Sequence, residues 1–278
     1  MQTADRGRRV RLMVGSALVG AFALSAILAS WLSPYDPGAV PAALSQGMLH
    51  PPEAAHPFGT DALGRDLLSR VLHGGRVSLA LGLGVEGVAA ALGVAIGLLA
   101  GYYGGWRDSA LMRATDVVMA FPSLILAIGL IAVFERPGLD KVALVLVALG
   151  WTTIARVVRG EVLSLKERDY IQAARALGVG HGVVLLRHLL PNAIGPVIVT
   201  ATIGVGGNMI AEAGLSFLGL GAQSPTISWG AMLSEGQTFL VSAPWVAFFP
   251  GAALLLAVLG INLLGDALRD LLDPRFRP

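Results

Sequence analysis

The sequence contains no cysteine, only two lysines and few charged residues of either sign. The absence of cysteine excludes disulfide frameworks and thiolate metal sites. Charged residues make up 14% of the 278-residue chain, whereas a soluble domain usually carries about 25%. The net charge is only +2. Together these shortages exclude an ordinary water-soluble enzyme, a disordered chain and a nucleic-acid binder built on a basic face.

Long uncharged runs occupy much of the chain instead. Hydrophobic residues account for 55% of it, the mean hydropathy is +0.71 and glycine occurs 36 times, a composition typical of packed transmembrane helices. A helix needs roughly 20 apolar residues to cross the hydrocarbon layer of a membrane. We therefore expect an all-α membrane protein with six transmembrane helices. The runs place these helices at about 12–32, 77–103, 116–134, 139–158, 194–217 and 245–265.

The first apolar run has two interpretations. Four arginines precede it, as positive residues precede the apolar region of a signal peptide. The run is longer than an ordinary signal region, and no clear A-x-A cleavage site follows it. We therefore expect a retained membrane anchor.

The distribution of positive charge predicts the orientation of the chain. With the N-terminus inside, the inner loops hold 15 of the 20 lysines and arginines and the outer loops hold 5. Because positive residues are enriched in cytoplasmic loops, both termini are expected in the cytoplasm. The longest inner loop is then 159–193, and the outer face carries the loops 34–75 and 218–244.

The long inner loop is predicted to contain two short helices. Asp169 followed by Gln172 has the spacing of a capping box at a helix start. Gly178 stands where a helix of about two turns would end in a left-handed cap. A second helical stretch, Val183–Leu190, is expected to stop at Pro191. The residues alone leave two interpretations open, a knob that docks on a partner or an ordinary amphipathic connector.

Several motifs resemble those of one known family. Gln172-Ala173-Ala174, Gly178 and Leu190-Pro191 are similar to the EAA-type loop of ABC importer permeases. Further stretches resemble the dipeptide, oligopeptide and nickel permeases in family order, and these are His56–Arg70, Asp116–Pro122, Ala211–Gly221 with Trp229–Met232, and Leu264–Pro274. From about residue 34 to its end, the chain resembles the C-type permease subunit of such an importer.

The resemblance implies that the inner loop inserts as a coupling helix into a groove on a cytoplasmic ATPase subunit. Gln172 replaces the family's Glu and brings no charge, and His188 stands where many members have Ile. The coupling residues implied are Asp169, Tyr170, Gln172, Ala173, Ala174, Gly178, His188, Leu190 and Pro191.

The resemblance also implies a fold and a set of partners. The fold would be the type I (MetI-like) importer permease fold, in the inner membrane. The partners would be a related permease forming a heterodimer, two ATPase subunits, a periplasmic or lipid-anchored solute-binding protein and membrane lipid, without nucleic acid. The chain has no Walker A pattern, since neither Lys141 nor Lys166 follows a glycine. ATP and Mg²⁺ are therefore expected in the partner ATPases, and this chain is expected to be neither an enzyme nor the holder of a cofactor.

Three polar residues inside the apolar runs are candidates for the transport pathway. Glu212 lies deep in the fifth run, and Asn208 shares its helix face four residues earlier. Glu86 lies about a third of the way along the second predicted span. A carboxylate at the membrane centre costs roughly 2.5–3.5 kcal/mol on insertion scales, so each should face protein or water. Each residue is interpreted either as a pathway or gate residue or as a buried packing contact, and for Glu86 the packing interpretation is favoured.

The segment before the second span is predicted to be an amphipathic helix on the outer surface. Over Asp61–Leu72, apolar residues recur at the spacing of one helix face, with polar residues between them. Asp61–Arg65 and Asp66–Arg70 have the spacing of ion pairs, and Gly74-Gly75 would end the helix. The candidate residues of this outer signature are Gly59, Thr60, Asp61, Gly64, Arg65 and Asp66. The segment could contact a substrate-delivery protein, form an outer gate, or simply anchor the span.

Two further patterns concern packing and chemistry. A stripe of small residues is expected to allow close approach of another helix, in this subunit or the partner permease, and its members are Ala89, Gly93, Gly97 and Gly101. The five histidines show no i, i+3 or i, i+4 spacing on one predicted helix, so no metal site is expected. No nucleophile–base–acid set is evident.

The predicted organisation has four parts: 1–33 with the cytoplasmic N-terminus and first helix, 34–75 as the periplasmic loop, 76–266 as the transmembrane core containing the coupling loop 159–193, and 267–278 as a cytoplasmic tail. The expected function is ATP-driven import of di- or oligopeptides by alternating access. Nickel or another small solute is the alternative cargo. A secondary transporter would need paired intramembrane charges and inverted repeats, which the sequence does not show, and a purely structural subunit would not need the patterned inner loop.

Overall fold

The computed structural model describes residues 2–40 and 49–272. The side chains of the predicted cytoplasmic Arg6, Arg8 and Arg9, and residues 273–278 of the predicted tail, lie outside the described part. In chain order the helices are α1 (Gln2–Ile27), α2 (Ala29–Leu32), α3 (Leu67–Tyr103), α4 (Gly105–Met119), α5 (Ser123–Ile131), α6 (Leu139–Leu165), α7 (Asp169–Ala176), α8 (His181–Val183) with a π-helical turn (Val184–Leu189), α9 (Leu190–Phe217), α10 (Trp229–Gly236) with a 3₁₀ turn (Gln237–Phe239), and α11 (Trp245–Leu272).

Five helical segments of the described chain are long and apolar enough to cross a membrane, and a bent pair of helices would supply a sixth span. The five contain α1, α3, α6, α9 and α11. The fourth predicted span, which has the shortest uncharged run, is an unbroken 27-residue helix. The expectation of six apolar spans in an all-α membrane protein is therefore confirmed, with one change of shape.

The third predicted span, 116–134, is not a single helix. It is divided between α4 and α5, which meet at an angle of 86°. The break lies at Pro122, which has no N–H to donate and disfavours helical backbone at the residue before it. The chain therefore forms an elbow at this point, and the elbow borders the cavity described below.

The long helix α3 packs against α6 along the predicted stripe of small residues. A Cβ atom added to Gly93 would lie 2.6 Å from the Trp151 carbonyl oxygen, and one added to Gly97 would lie 2.6 Å from the Ala155 carbonyl oxygen. Hydrogen in place of a side chain thus lets the two backbones approach closely. The predicted close approach is confirmed, and its partner lies within this chain.

The start of α3 differs from the expectation. The helix begins at Leu67, with Asp66 accepting a hydrogen bond from the Ser69 amide at 2.8 Å, and it continues through Gly74-Gly75. The prediction of an amphipathic helix over Asp61–Leu72 ending at these glycines is wrong. The glycines make room for Trp229 instead, since an added Cβ at Gly74 would lie 2.8 Å from its ring.

The predicted stop at Pro191 is also wrong. The chain is helical from α8 through the π-helical turn into α9, where Pro191 occupies the first turn. A proline ring clashes with the carbonyl group four residues earlier in a regular α-helix. The wider π-helical turn directly before Leu190 accommodates it, so the helix passes the proline instead of ending.

The two ends of the described chain lie together. Helix α1 packs along α11, and an added Cβ at Gly15 would lie 2.7 Å from the Leu264 backbone nitrogen. Arg11 donates a hydrogen bond to Asp270 at 2.8 Å. The start of α1 and the end of α11 are therefore on the same side of the helix bundle.

Candidate functional site

A cavity of about 630 Å³ lies among α3, α5, α6 and α9, at the elbow between α4 and α5. Its walls are mainly aliphatic, with Phe121 at the elbow. Glu86 is the only charged residue among the described residues that line it, and Asn208 is beside it. The volume is in the range of small-molecule sites, which are about 300–1,000 Å³.

Glu86 and Asn208 are brought together across two helices. The Asn208 side-chain amide donates a hydrogen bond to Oε2 of Glu86 at 2.8 Å. Because α3 begins ten residues earlier than expected, Glu86 lies near the middle of this helix, and its predicted position a third of the way along is wrong. The carboxylate rests directly against the Gly204 backbone on α9, where an added Cβ would lie 2.4 Å from Oε2.

Glu212 is placed differently from the other two candidates. It is fully buried and does not line the cavity. Ser216 donates a hydrogen bond to its carboxylate at 2.7 Å, and Ser78 donates one at 3.4 Å. The interpretation that fits this geometry is a packing contact joining α9 and α3.

The inner loop forms a short projecting helix, α7. Its C-terminal end is a Schellman motif, in which the Val179 amide donates to the Ala174 carbonyl at 3.1 Å and the Gly178 amide donates to the Arg175 carbonyl at 3.0 Å. Gly178 has φ +77°, so the predicted left-handed cap is confirmed. Ile171 is fully buried and anchors the helix.

The predicted capping box at the start of α7 is not formed. Asp169 is the first helical residue, and no side chain caps the helix at Arg168. The Gln172 side chain instead donates to the Glu167 carbonyl oxygen at 3.1 Å. An acidic side chain in the first turn still interacts favourably with the helix dipole, which accounts for Asp169 without a cap.

The coupling residues proposed from the sequence fall into two groups. Tyr170, Gln172 and Ala173 are exposed on α7, whereas His188 and Leu190 are partly buried beside the π-helical turn. The two groups belong to one unit, because Ile171 packs in the same core cluster as Val184, Leu185 and Leu189. Sequence reasoning missed Leu177, which is 84% exposed at the tip. A large apolar residue directly before the capping glycine is the signal that could have found it.

The outer signature residues form part of a folded cap, which we define as Gly59–Arg70 together with α10. Asp61 accepts from Nε of Arg65 at 2.7 Å and from Nη1 of Arg70 at 2.8 Å. Both arginines also bond Glu235 on α10, at 3.1 and 3.0 Å. The predicted Asp61–Arg65 pair is confirmed. The predicted Asp66–Arg70 pair is wrong, because Asp66 caps α3 and Arg70 turns toward Asp61.

Glu235 was missed as a member of this cluster, and Arg70 was assigned to the wrong carboxylate. Glu235 is the only charged residue in the outer loop 218–244, and that isolation is the signal that could have identified it. Burial raises the pKa of Glu235 above its ordinary value, against the opposing positive charge of Arg65. Nε of Arg70 is buried without a hydrogen-bond partner among the described residues.

The remaining signature residues shape the loop of the cap. Gly59 and Gly64 have φ of +77° and +75°, a conformation that favours glycine. Thr60 accepts from the His50 amide through its hydroxyl and from the Trp245 indole through its carbonyl. Among the described residues, no group of three or more His, Asp or Glu side chains is arranged to hold a metal ion.

Comparison with known proteins gives the family. Residues 93–278 match the family described as binding-protein-dependent transport system inner membrane component. The dipeptide transport system permease protein DppC of Alkalihalophilus pseudofirmus is 41% identical over 95% of this chain and 86% of its own length. The glutathione transport system permease protein GsiD of Pectobacterium atrosepticum is 46% identical over 81% of this chain and 75% of its own length. The GsiD protein of Escherichia coli is 44% identical over 98% of this chain and 89% of its own length.

The chain belongs to the family of binding-protein-dependent transport system inner membrane components. It is accordingly a multi-pass membrane permease with the type I (MetI-like) fold, and a transport subunit, not an enzyme. The resemblance of the sequence motifs to this class is confirmed.

Proposed function

We propose that this chain is the permease subunit of an ATP-driven ABC importer that carries di- and oligopeptides across the inner membrane by alternating access. The observation that carries the cargo class is the set of similar permeases, which are named for dipeptides and for glutathione, itself a tripeptide. The cavity supports it, because its volume of about 630 Å³ suits a short peptide. Nickel is the less favoured cargo.

Energy enters through α7. A short helix with a buried anchor at Ile171 and a glycine-capped end moves as one piece, so a displacement at its exposed face reaches the core cluster beneath α6 and α9. Two ATPase subunits, which bind ATP and Mg²⁺, dock on this face, with Asp169, Tyr170, Gln172 and Ala173 in contact. Both termini and α7 lie in the cytoplasm, in keeping with the 15 to 5 distribution of positive charge.

Two further surfaces bind partner subunits. The elbow presents exposed apolar residues, among them Val117, Phe121 and Ile125, and a related permease covers this face to form a heterodimer around the cavity. On the side of the membrane opposite to α7, the outer cap binds a periplasmic or lipid-anchored solute-binding protein. Closure of the ATPase pair opens the cavity outward, and hydrolysis returns it inward.

The test is uptake by spheroplasts that express the complete importer or the same importer without this chain. We expect radiolabelled dialanine to accumulate only with this chain, and only while a partner ATPase retains its Walker A lysine. ⁶³Ni²⁺ is assayed in parallel. Accumulation of nickel without peptide would replace the proposed cargo. Peptide uptake that survives loss of the ATPase but stops when the ion gradient collapses would replace an ABC importer with a secondary transporter.

A further inference from the structure

We propose that Glu86 binds the α-ammonium group of the peptide cargo inside the cavity, so that this chain itself selects for a free amino terminus. The inference rests on the proposed peptide transport and adds a recognition site to it. A dipeptide and glutathione, the cargos named for the similar permeases, share such an ammonium group.

The charge of the cavity lining supports this assignment. Glu86 is the one charged residue among the described residues of the lining, and no lysine or arginine there neutralises it. Two of the three threonine hydroxyls of the lining are already engaged within their own helices, since Thr152 donates to the Leu149 carbonyl at 3.0 Å and Thr200 donates to the Pro196 carbonyl at 2.9 Å. An isolated carboxylate inside a membrane is costly unless a partner meets it, and a cationic ligand is the complementary partner.

The carboxylate has one oxygen engaged and one available. Oε2 accepts the hydrogen bond from Asn208, and within the described residues no hydrogen bond reaches Oε1. Gly204 holds the group in place, because the carboxylate occupies the space where a side chain at this position would begin. Asn208 and Gly204 both line the cavity, so the fixed carboxylate borders the space that the cargo occupies.

Glu212 provides a contrast on the same helix pair. It too is a carboxylate between α3 and α9, but its partners are the hydroxyls of Ser78 and Ser216, and it is fully buried away from the cavity. Glu86 therefore has the cargo-binding role and Glu212 has a packing role. Glu212→Gln keeps one oxygen that can accept from a serine hydroxyl, and its NH2 group can donate to the other serine. This variant serves as the matched control.

The experiment measures peptide binding to the complex of both permeases and both ATPases in nanodiscs. The binding protein is left out, so that its own selectivity does not contribute. The ligands are radiolabelled dialanine and N-acetyl-dialanine, which differ by the charge on the terminal nitrogen. A hydrogen bond to a charged group is worth enough that wild type should bind dialanine about tenfold more tightly or better. Glu86→Gln should remove that preference, and Glu212→Gln should retain it.

A second variant tests position instead of charge. Gly204→Ala keeps the carboxylate but pushes it out of its place against α9, and the end of a flexible side chain moves at little cost. We expect the same loss of preference for dialanine with assembly unchanged. Together with the wild-type comparison of the two ligands, this variant tests whether Glu86 binds the ammonium group even if Glu86→Gln does not assemble.

The outcomes separate the two proposals. The role of Glu86 is overturned if the wild type binds both ligands equally, or binds neither while still taking up dialanine. It is also overturned if Glu86→Gln and Gly204→Ala both retain the preference for dialanine. In each of these cases the proposal of peptide import stands. If spheroplasts with the complete importer take up no peptide at all, the proposed function itself fails.

Discussion

At the scale of single residues, Gly178 determines how α7, the proposed docking helix, ends. It ends α7 at φ +77° and no atom lies within 4 Å of where its side chain would begin, so the obstacle to substitution is backbone strain and not space. A β-branched residue strains this conformation by about 1–3 kcal/mol. We expect Gly178→Val to loosen the end of α7 and to lower the coupling of uptake to ATP hydrolysis by a factor of roughly 5–30. The measurement is peptide transported per ATP hydrolysed in proteoliposomes.

Gly180 offers a matched control two residues away. It also has open space around it, but its φ is −61° and its backbone is extended, which suits valine. Gly180→Val should therefore transport and hydrolyse as wild type does. Normal coupling in Gly178→Val, with the protein present in the membrane at the usual level, would contradict the role of α7 as the docking element.

The two arginines of the outer cap bind the same two carboxylates but differ in burial. The Arg70 side chain is 3% exposed and that of Arg65 is 17% exposed. Removing one partner of a buried ion pair typically costs about 3–5 kcal/mol, because the other charge is left uncompensated, whereas more exposed pairs contribute about 0–1 kcal/mol. We expect Arg70→Gln to lower the thermal unfolding midpoint of the detergent-purified importer clearly more than Arg65→Gln does. Equal shifts would mean that the cluster is held together by other contacts.

At the scale of the helices, the contact between α3 and α6 is set by the backbone. An added methyl group at Gly97 meets the Ala155 carbonyl oxygen at 2.6 Å, and a backbone atom cannot turn aside as a flexible side chain does. Gly97→Ala should therefore force the helices apart and cost about 1–3 kcal/mol. Gly87, on an exposed face of the same helix with nothing within 4 Å, is the control. Thermal unfolding of both alanine variants provides the comparison, and equal stability of the two would show that the close approach is not needed.

The helices also mark the limit of what could be predicted from the sequence. Charge-free runs predicted the existence of all six spans and glycine spacing predicted the α3–α6 contact, because both depend on local composition. The paths through Pro191 and Gly74-Gly75 could not be predicted in this way, since a π-helical turn and the distant Trp229 decide them. Likewise, i, i+4 spacing suggested Asp66 as the partner of Arg70, while the actual partners, Asp61 and Glu235, depend on tertiary folding.

The candidate site shows the same division. Glu86, Asn208 and Glu212 were identified because polar residues in apolar runs are conspicuous. Which of them borders the cavity depends on how α3 and α9 cross, and the sequence contains no local signal for it. The crossing pairs Asn208 with Glu86 beside the cavity and leaves Glu212 among serines. Depth in the predicted spans had instead suggested Glu212 as the stronger candidate for a pathway residue.

At the scale of the whole molecule, the arrangement proposed here needs α7 and the outer cap on opposite sides of the membrane. The two lie at opposite ends of α3: the cap at its start near Leu67, and the core that anchors α7 near Leu98 and Tyr102 toward its end. The charge asymmetry of the loops predicts that α7 is on the cytoplasmic side. This assignment decides whether the energy of ATP hydrolysis can reach the cavity at all.

The absence of cysteine makes the orientation directly measurable, because a single introduced thiol is the only one in the chain. Leu177 is 84% exposed beside the tip of α7, and Leu63 is 46% exposed in the outer cap. In spheroplasts, a membrane-impermeant maleimide should label Leu63→Cys at once and Leu177→Cys only after permeabilisation. Leu189→Cys, buried in the core, should resist labelling in both conditions and reports unfolding. Immediate labelling of Leu177→Cys would place α7 outside, where no ATPase could engage it, and the coupling mechanism would have to be abandoned even with the fold unchanged.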